Sequence, residues 1–522
     1  MTVDDRTAVI LDTTAAAQEL IAGLISEPWG QVSPSVYETG RLVTLTPWLT
    51  GHVQRIEFLL ASQRPDGGWG APQIGYALVP TLSATEGILA ALRRHGPDPR
   101  LRSAADRGLR LLFRWLNGGA ELTFPDMPAV ELISPYLIAL INEHLDSMPG
   151  EWQEGERLKP SADMDGAVLT LIRERLVAGA DLPEKLLHAL EIVGDAARGL
   201  RTIRTEPTGT IGASPAATAA WLGDREPSDP SNPARWHLET VVARHGGPVP
   251  CGLPITVFER AWVLSGLIRA GIPVSVPPEL VLSLTTQLGP LGASAAAGLP
   301  ADADTTSGAL YALALLGAPH PPDLLWAYET ETHFCTWPGE QGLSVSTNAH
   351  VLEAFGEYSS LRPDSAARYT ATIAKVSAWL CDRQLADGSW QDRWHVSPYY
   401  ATASSALALD RHGGPESAEA VRSALRWLLA TQRADGSWGL WEGTAEETAY
   451  ALQVLLLTRP ASSPAYEEAV ARGHASLLRS ADRTDQPALW HDKDLYLPTA
   501  IVRGTVLAAL HLAQRPIVGS GR

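Results

Sequence analysis

The chain is poor in the residues that characterise several common protein classes. Its 522 residues include only three cysteines, six phenylalanines and four methionines, and 19% of them are charged. Cys251, Cys335 and Cys381 lie far apart with no paired spacing, which fits a reducing compartment and argues against a zinc site. The formal net charge of −17 disfavours a nucleic-acid partner, because nucleic acids require a basic surface.

Targeting signals and long hydrophobic runs are also missing. The first residues are acidic and lack the basic region and apolar core of a signal peptide. No apolar run approaches the roughly 20 residues of a membrane span. We therefore expect a cytoplasmic protein without a transmembrane segment.

Alternating strand patterns are nearly absent as well. Almost every segment instead has apolar residues at spacings of three and four, separated by short loops rich in Gly, Pro and Asp. Hydrophobic residues make up 45% of the chain, which is enough for a large core. The pattern predicts an all-α protein built from stacked helical hairpins.

One short motif occurs three times. Gln-x-x-Asp-Gly-x-Trp is found at residues 63–69, 384–390 and 432–438, each time at the end of a predicted helix. Glycine permits a left-handed turn, and Gln and Trp can bond one helix end to the next. We interpret these copies as structural.

An acidic run stands out against its uncharged surroundings. Asp302-Ala303-Asp304-Thr305-Thr306 precedes an apolar helical pattern over residues 307–316. One interpretation is that Asp302 or Asp304 only caps this helix. The other is that a buried carboxylic acid stays neutral and gives its proton to a poor base such as an alkene. The chain also contains 17 tryptophans, a bias that indicates either structural contacts between helices or a cavity whose indole faces stabilise a cation.

Taken together, these motifs resemble those of the class II terpene cyclases, the family of squalene–hopene cyclase and the copalyl and drimenyl diphosphate synthases. The repeated motif resembles the QW motif of that family. Asp302-Ala303-Asp304-Thr305 resembles its DxDD acid motif, with Thr305 in place of the last acid. Residues 34–39, 186–191, 246–262 and 348–353 are similar to further segments of the family, in the same order.

The resemblance implies two α/α-barrel domains, called β and γ, with the active site between them. The γ domain is expected to be inserted after the first helix of the β domain. This places β at residues 1–35 and 255–522 and γ at residues 36–254.

The resemblance also implies roles for individual residues. Asp304 is the expected proton donor, Asp302 its acidic neighbour, and His350 the group that bonds to the other oxygen of Asp304. His188 matches a position that helps to remove the final proton in plant copalyl enzymes. The expected cation-stabilising aromatic residues, each of which could equally be a core residue, are Phe258, Trp394, Tyr399, Tyr400 and Tyr496.

A prenyl diphosphate substrate requires cations at its diphosphate group. The candidates near matched segments are Arg173, Arg175, Arg260, Lys493 and Arg503. Mg²⁺ is expected by resemblance, but the sequence does not identify its ligands. The resemblance is also compatible with a homodimer.

The expected reaction is protonation-initiated bicyclisation of a linear prenyl diphosphate with the diphosphate retained. The Asp-x-Asp-Thr-Thr variant resembles the drimane-forming members, which favours farnesyl diphosphate as substrate and drimenyl diphosphate as product. The alternative is conversion of geranylgeranyl diphosphate to a copalyl, halimane or clerodane diphosphate. Remote alternatives are an (α/α)-barrel glycan hydrolase or lyase and a non-enzymatic helical-repeat scaffold.

Overall fold

The computed structural model describes residues 11–118, 124–148, 156–161, 164, 166–340, 342–458, 463–481, 483 and 485–515. Almost all regular structure in these residues is helical. The α-helices are α1 (Thr13–Ser26), α2 (Val36–Leu45), α3 (His52–Ala61), α4 (Ile74–His95), α5 (Pro99–Leu116), α6 (Val130–Ser147), α7 (Ala167–Val177), α8 (Pro215–Leu222), α9 (Pro233–His245), α10 (Thr256–Arg269), α11 (Pro278–Thr286), α12 (Ala303–Leu315), α13 (Val345–Leu361), α14 (Pro363–Asp382), α15 (Pro398–His412), α16 (Ala418–Thr431), α17 (Ala445–Thr458), α18 (Pro464–Ser480) and α19 (Thr499–Gln514).

Short segments of other structure complete the described chain. The 3₁₀ helices are Glu184–Ala197, Pro322–Tyr328 and Pro415–Ser417, and the two strands are β1 (Trp490–His491) and β2 (Leu495–Tyr496). The strands pair antiparallel, with Trp490 opposite Tyr496. The expectation of an all-α protein is confirmed.

The C-terminal helices form a closed ring, which we call the large barrel. Its inner helices pack in the order α10, α12, α13, α15, α17 and α19, and α19 closes the ring against α10. Outer helices cover the joints; α1, from the start of the chain, packs on α19 and α10. The first helix therefore belongs to the barrel formed by the end of the chain.

A second ring, which we call the small barrel, is built from the segment in between. Its inner elements pack in the order α2, α4, α6, the 3₁₀ helix Glu184–Ala197 and α8, and α8 closes the ring against α2. Alternation of inner and outer helices allows each inner helix to be buried on most of its faces. Two α/α-barrels are thus present, as expected.

Two hydrophobic cores correspond to the two barrels. The larger core extends from Ala17 in α1 to Leu512 in α19, and the smaller core from Tyr37 to Ala220. The larger core also includes Leu42 and Val242, which lie inside the predicted γ range. The domain boundaries at residues 35 and 254 stay a prediction.

One described helix has the length and composition of a membrane span. This helix is α4, and 83% of its most apolar window is buried inside the protein. Such burial is typical of a core helix, and α4 is an inner helix of the small barrel.

The three QW motifs have the same geometry. Trp69, Trp390 and Trp438 are fully buried, and each indole N–H donates to a carbonyl oxygen of the preceding helix, at 2.7, 2.8 and 2.8 Å. In the second copy, the Gln384 amide donates to the Gly388 and Ala420 oxygens, both at 2.8 Å. The motifs therefore connect successive outer helices, which agrees with the structural interpretation.

Replacing Trp390 by Phe should lower stability. The change removes the bond to the Leu380 oxygen and leaves that buried acceptor unpaired, so we expect a loss of about 2–3 kcal/mol in the free energy of unfolding. Urea unfolding would measure it. The control is Trp236→Phe, at a tryptophan that is 53% exposed, where a change within about 0.5 kcal/mol is expected. Equal losses in both variants would contradict the structural role.

Candidate active site

A cavity of about 360 Å³ lies between the two barrels. Most of its wall is apolar, and both barrels contribute to it. The small barrel and its loops contribute Ala129, Leu132, Lys185, Leu186, His188 and Ala189. The chemically distinctive residues of the other half are Phe258, Asp302, Asp304, Trp337, Arg393, Trp394, Trp490, Asp492 and Tyr496.

Asp302 and Asp304 have different surroundings although they are two residues apart. Asp302 is the N-cap of α12: its carboxylate accepts from the Thr305 N–H at 2.6 Å and from the Ala295 N–H at 3.1 Å. Burial, together with the charge of Asp304, raises the pKa of Asp302 to about 7. The capping interpretation is thus right for Asp302, and this cap leaves Asp304, in the first turn, directed to the cavity wall.

His350 bonds to Asp304 from the neighbouring inner helix. Its Nδ1 lies 2.8 Å from Asp304 Oδ1, and the ring packs edge-on against Trp262 with centroids 5.0 Å apart. Burial lowers the pKa of His350, but the Asp304 carboxylate and its hydrogen bond outweigh burial and raise it above its usual value. The structure thus brings together the predicted donor and its predicted partner.

A second, smaller cavity of about 60 Å³ lies inside the large barrel, on the other side of this pair. It is lined by His350 and by polar side chains of the surrounding inner helices, including Arg269, Tyr311 and Glu353. Its volume and polar wall suit a small number of water molecules. Asp304 lines the apolar cavity and His350 lines the polar one, so the pair connects them.

The predicted aromatic residues divide into two groups. Phe258, Trp394 and Tyr496 line the apolar cavity, as does Trp490, which the sequence analysis did not select. Tyr399 does not line it and packs on Trp427 with ring centroids 4.6 Å apart.

Tyr400 is also absent from the apolar wall. Its ring lies behind Trp490, with centroids 4.8 Å apart, and its hydroxyl accepts from the Trp262 N–H at 3.3 Å. Neither Tyr399 nor Tyr400 lines the apolar cavity, because α15 turns both towards its barrel neighbours, and their expected role in stabilising the cation stays a prediction. Trp337 is a further cavity residue that was missed.

None of the five predicted diphosphate-binding cations lines the cavity. Arg173 donates to the Ile192 oxygen at 2.9 Å, and Arg175 is exposed on α7. Arg260 donates to the Leu24 oxygen at 3.0 Å, and Arg503 to the Ala481 oxygen at 2.9 Å. None of the four lines the cavity, and their binding of the diphosphate stays an untested prediction.

Lys493, the fifth candidate for binding the diphosphate, does not line the cavity because its side chain is enclosed in the protein. It is fully buried, and its ammonium contacts Glu38 at 2.5 Å, Glu191 at 3.0 Å and Ser214 Oγ at 2.7 Å. Burial lowers the pKa of Lys493, but the two glutamates outweigh burial and raise it above its usual value. All of its donors are occupied, so it is a structural ion pair between elements of both halves.

The cations that do line the cavity are Lys185 and Arg393. The Lys185 ammonium lies 4.3 Å from the centre of the Trp337 ring and 3.9 Å from Glu340. Arg393 bonds to Glu340 at 3.0 Å and to Asp126, across the gap between the halves, at 3.1 Å. No motif marked either residue, because only tertiary structure brings residues 185 and 393 together.

His188 lines the cavity from the small barrel and pairs with a residue from the end of the chain. Its Nε2 lies 2.7 Å from Asp492 Oδ1, and its Nδ1 lies 2.6 Å from the Gly212 oxygen. Burial lowers the pKa of His188, and the Asp492 carboxylate outweighs burial and raises it.

Comparison with known proteins agrees with this geometry. A family model described as the squalene-hopene cyclase C-terminal domain matches residues 342–496. The ent-copalyl diphosphate synthase of Streptomyces sp. (strain KO-3988) is 45% identical over 502 residues, which cover 96% of each chain. The chain is a class II terpene cyclase.

Two further relatives support this assignment. The labda-7,13-dienyl diphosphate synthase of Streptomyces clavuligerus is 40% identical over 97% of this cyclase and 94% of that protein. The solved structure of ent-copalyl diphosphate synthase from Streptomyces platensis is 46% identical and superposes with a TM-score of 0.92, covering 96% of this cyclase and all of that chain. A glycan hydrolase or a non-enzymatic scaffold is thereby excluded.

Replacing Asp304 by Asn should abolish most of the cyclase activity. The amide cannot donate a strong acid's proton, so we expect product formation to fall about 100- to 10,000-fold. Gas chromatography of the dephosphorylated products would measure this. Asp364→Asn, at an exposed first-turn aspartate of the same barrel, should retain full activity. Wild-type turnover by Asp304→Asn would refute the assignment.

Asp302 should make stability depend on pH. Between the usual carboxyl pKa of about 4 and its raised pKa of about 7, the folded cyclase holds a proton that the unfolded chain has lost. The free energy of unfolding should therefore fall as pH rises through this window. Asp302→Asn keeps the cap but cannot titrate, so its stability relative to wild type should increase between pH 5 and pH 8 in urea unfolding. A constant difference would contradict the raised pKa.

Proposed function

We propose that this cyclase converts geranylgeranyl diphosphate to a bicyclic, copalyl-type diphosphate. The observation that supports this most is the similarity to proteins named ent-copalyl and labda-7,13-dienyl diphosphate synthase, at 45% and 40% identity over nearly the whole chain. These names favour the C20 alternative over the farnesyl substrate that the Asp-x-Asp-Thr-Thr variant suggested. The two names differ in their product, so the position of the final double bond is left open.

Asp304 and His350 would start the reaction. Nδ1–H of His350 donates to Oδ1 of Asp304, which leaves Oδ2 to carry the acidic proton. That proton adds to the terminal alkene of the substrate, and the resulting cation is attacked by the next double bond to close the rings. Water in the polar cavity behind His350 would resupply the proton, so the missing acid at Thr305 is not required.

Aromatic side chains would stabilise the cation while the rings close. Phe258, Trp394, Trp490 and Tyr496 lie on the cavity wall, and their faces attract positive charge without forming bonds to it readily. The mostly apolar wall keeps most water away from the intermediate, so the cascade ends by loss of a proton at a defined place.

The negatively charged diphosphate would bind near the positively charged side chains of Lys185 and Arg393. Both cations line the cavity and lie beside Trp337 and Trp394, respectively. A guanidinium and an ammonium match phosphate oxygens well. Because Asp304 protonates the hydrocarbon end, the carbon–oxygen bond to the diphosphate is not broken.

Mg²⁺ remains part of this proposal, as the resemblance implies. Within the described residues, no group of three or more His, Cys, Asp or Glu side chains could hold a metal ion. The nearest carboxylates to the proposed diphosphate site are Glu340 and Asp126, which already pair with the cations. Mg²⁺ would neutralise part of the diphosphate charge, held mainly by that group's own oxygens. The homodimer and the cytoplasmic location also stay predictions.

A substrate comparison tests the proposal. The cyclase is incubated separately with geranylgeranyl and farnesyl diphosphate, and products are analysed before and after phosphatase treatment. We expect a bicyclic C20 product that appears only after phosphatase, with at least tenfold higher kcat/KM for the C20 substrate. A preference for farnesyl diphosphate would restore the drimenyl interpretation, and a hydrocarbon released without phosphatase would contradict retention of the diphosphate.

Lys185→Met tests the diphosphate site. Methionine keeps the apolar stem against Trp337 and removes one charge, so we expect KM to rise about 10- to 100-fold, the value of one charge-assisted hydrogen bond, with little change in kcat. Lys159→Met removes an exposed lysine of the same half and should leave KM unchanged. An unchanged KM in Lys185→Met would place the diphosphate elsewhere.

A further inference from the structure

A second carboxylate faces the apolar cavity. Asp492 lies in the turn between β1 and β2, lines the cavity, and has a side chain that is only 12% exposed. It meets His188 of the small barrel, so this pair joins the two halves at the cavity wall. The acidic start of the reaction uses Asp304 and does not involve this pair.

Both nitrogens of the His188 ring are bonded to oxygen acceptors. The Gly212 carbonyl oxygen, 2.6 Å from Nδ1, can only accept, so Nδ1 carries a hydrogen. Nε2 lies 2.7 Å from a carboxylate oxygen. Burial raises the pKa of Asp492, but the neighbouring His188 outweighs burial and lowers it, and Asp492 in turn raises the pKa of His188, so the contact favours an imidazolium beside a carboxylate. An imidazolium has no lone pair with which to take a further proton.

The carboxylate of Asp492 uses one oxygen for these contacts. Oδ1 accepts from His188 Nε2 at 2.7 Å and from the Lys493 backbone N–H at 2.6 Å. Oδ2 lies next to Gly252, where an added Cβ would stand 3.3 Å away, and Gly252 and Cys251 both line the cavity. The second oxygen is therefore on the side of the cavity.

The other carboxylates of the cavity wall have different positions or roles. Asp302 caps α12 with Oδ1 and accepts from the Ala295 N–H with Oδ2, Asp304 is the proposed proton donor, and Glu131 is exposed at the rim. Of the carboxylates that line the cavity in the described residues, Asp492 alone is buried, ionised by a neighbouring cation and not part of the acid motif.

We infer that Asp492 is the base that ends the reaction, with His188 as the positioning residue that keeps it ionised and oriented. The inference rests on the proposed cyclisation. In this step a C–H bond next to the bicyclic cation breaks, its electron pair forms the carbon–carbon double bond, and the proton bonds to Asp492 Oδ2. The resemblance to the family implied that His188 helps to remove the final proton. The hydrogen bonds of this cyclase instead favour the carboxylate of Asp492 as the group that accepts this proton.

With Asp492 as the base, the numbers of protons released and taken up in the reaction are equal. Asp304 loses one proton at the start and Asp492 gains one at the end, so the reaction is an isomerisation with no net proton uptake. Both groups return to their resting state by exchange with water between turnovers. A base at a fixed place also explains how one cation gives one alkene, because only the nearest hydrogen is removed.

The variant Asp492→Asn tests the inference. The amide can still accept from His188, but it cannot take a proton, so formation of the wild-type alkene should fall about 100-fold or more. Because Asp304 still starts the cascade, the substrate should be consumed and appear as hydroxylated diphosphates or as other double-bond isomers. A merely structural residue would lower all products together, so the product ratio separates the two roles.

Asp494→Asn is the matched control. Asp494 is a buried carboxylate two residues away that bonds to Ser35 and to the Tyr37 N–H and does not line the cavity. This variant should give the wild-type product alone. If Asp492→Asn does not fold by circular dichroism, Asp492→Glu replaces it, and the longer carboxylate should change the ratio of double-bond isomers.

Failure of the Asp492 inference can be told apart from failure of the proposed substrate assignment. If wild type does not convert geranylgeranyl diphosphate, the proposed substrate is wrong and the ratios are measured with the substrate that wild type does cyclise. If a folded Asp492 variant gives the wild-type product as its only product within twofold of the wild-type rate, Asp492 is not the base.

Discussion

The hydrogen bond between Asp304 and His350 is the interaction on which the proposed chemistry of this cyclase depends. An alkene is a very weak base, so its protonation requires a carboxylic acid whose proton faces an apolar space. The acid must also be recharged, which requires water. The inner ring of the large barrel meets both needs, since α12 presents Asp304 to the apolar cavity and α13 presents His350 to the polar interior of the barrel.

A group of buried charged side chains at the junction of the two barrels has a structural role. Lys493, Glu38 and Glu191 are completely buried, and the single ammonium of Lys493 pairs with both carboxylates across elements from the start, middle and end of the chain. Removing buried charges from water is costly unless they are paired, so each partner requires the others. Together with the neighbouring pair of His188 and Asp492, they hold the two halves in the arrangement that creates the cavity. The charged side chains that line the cavity are few, and most of the rest of its wall is apolar.

The repeated QW motifs show how a local pattern can specify an extended architecture. In each motif the glutamine side-chain amide donates to a carbonyl oxygen of its own turn and to a carbonyl oxygen of the next outer helix. The three copies therefore strengthen both barrels without lining the cavity. Their glycines adopt positive φ angles of 99°, 97° and 88°, a region that other residues rarely occupy. Tryptophan is therefore abundant for two separate reasons: some of it bonds helix ends, and some of it lines the cavity.

Local patterns in the sequence predicted the helical class, the QW turns and a helix cap at Asp302 or Asp304. The resemblance of its motifs to a known family predicted that His350 would bond to Asp304, and the structure shows this contact. The sequence did not determine which aromatic residues face the substrate: Tyr399 and Tyr400 are adjacent to each other in a plausible segment, yet the rotation of α15 in its ring directs both away. Nor did it identify the cations of the cavity wall: none of the five candidate arginines and lysines lines the cavity, whereas Lys185 and Arg393, from opposite sides of the gap between the barrels, both do. Tertiary structure decided these points, as it decided the pairing of His188 with Asp492. The cavity is formed by residues about 300 positions apart in the chain. The directions of their side chains depend on how two closed rings of helices pack against each other.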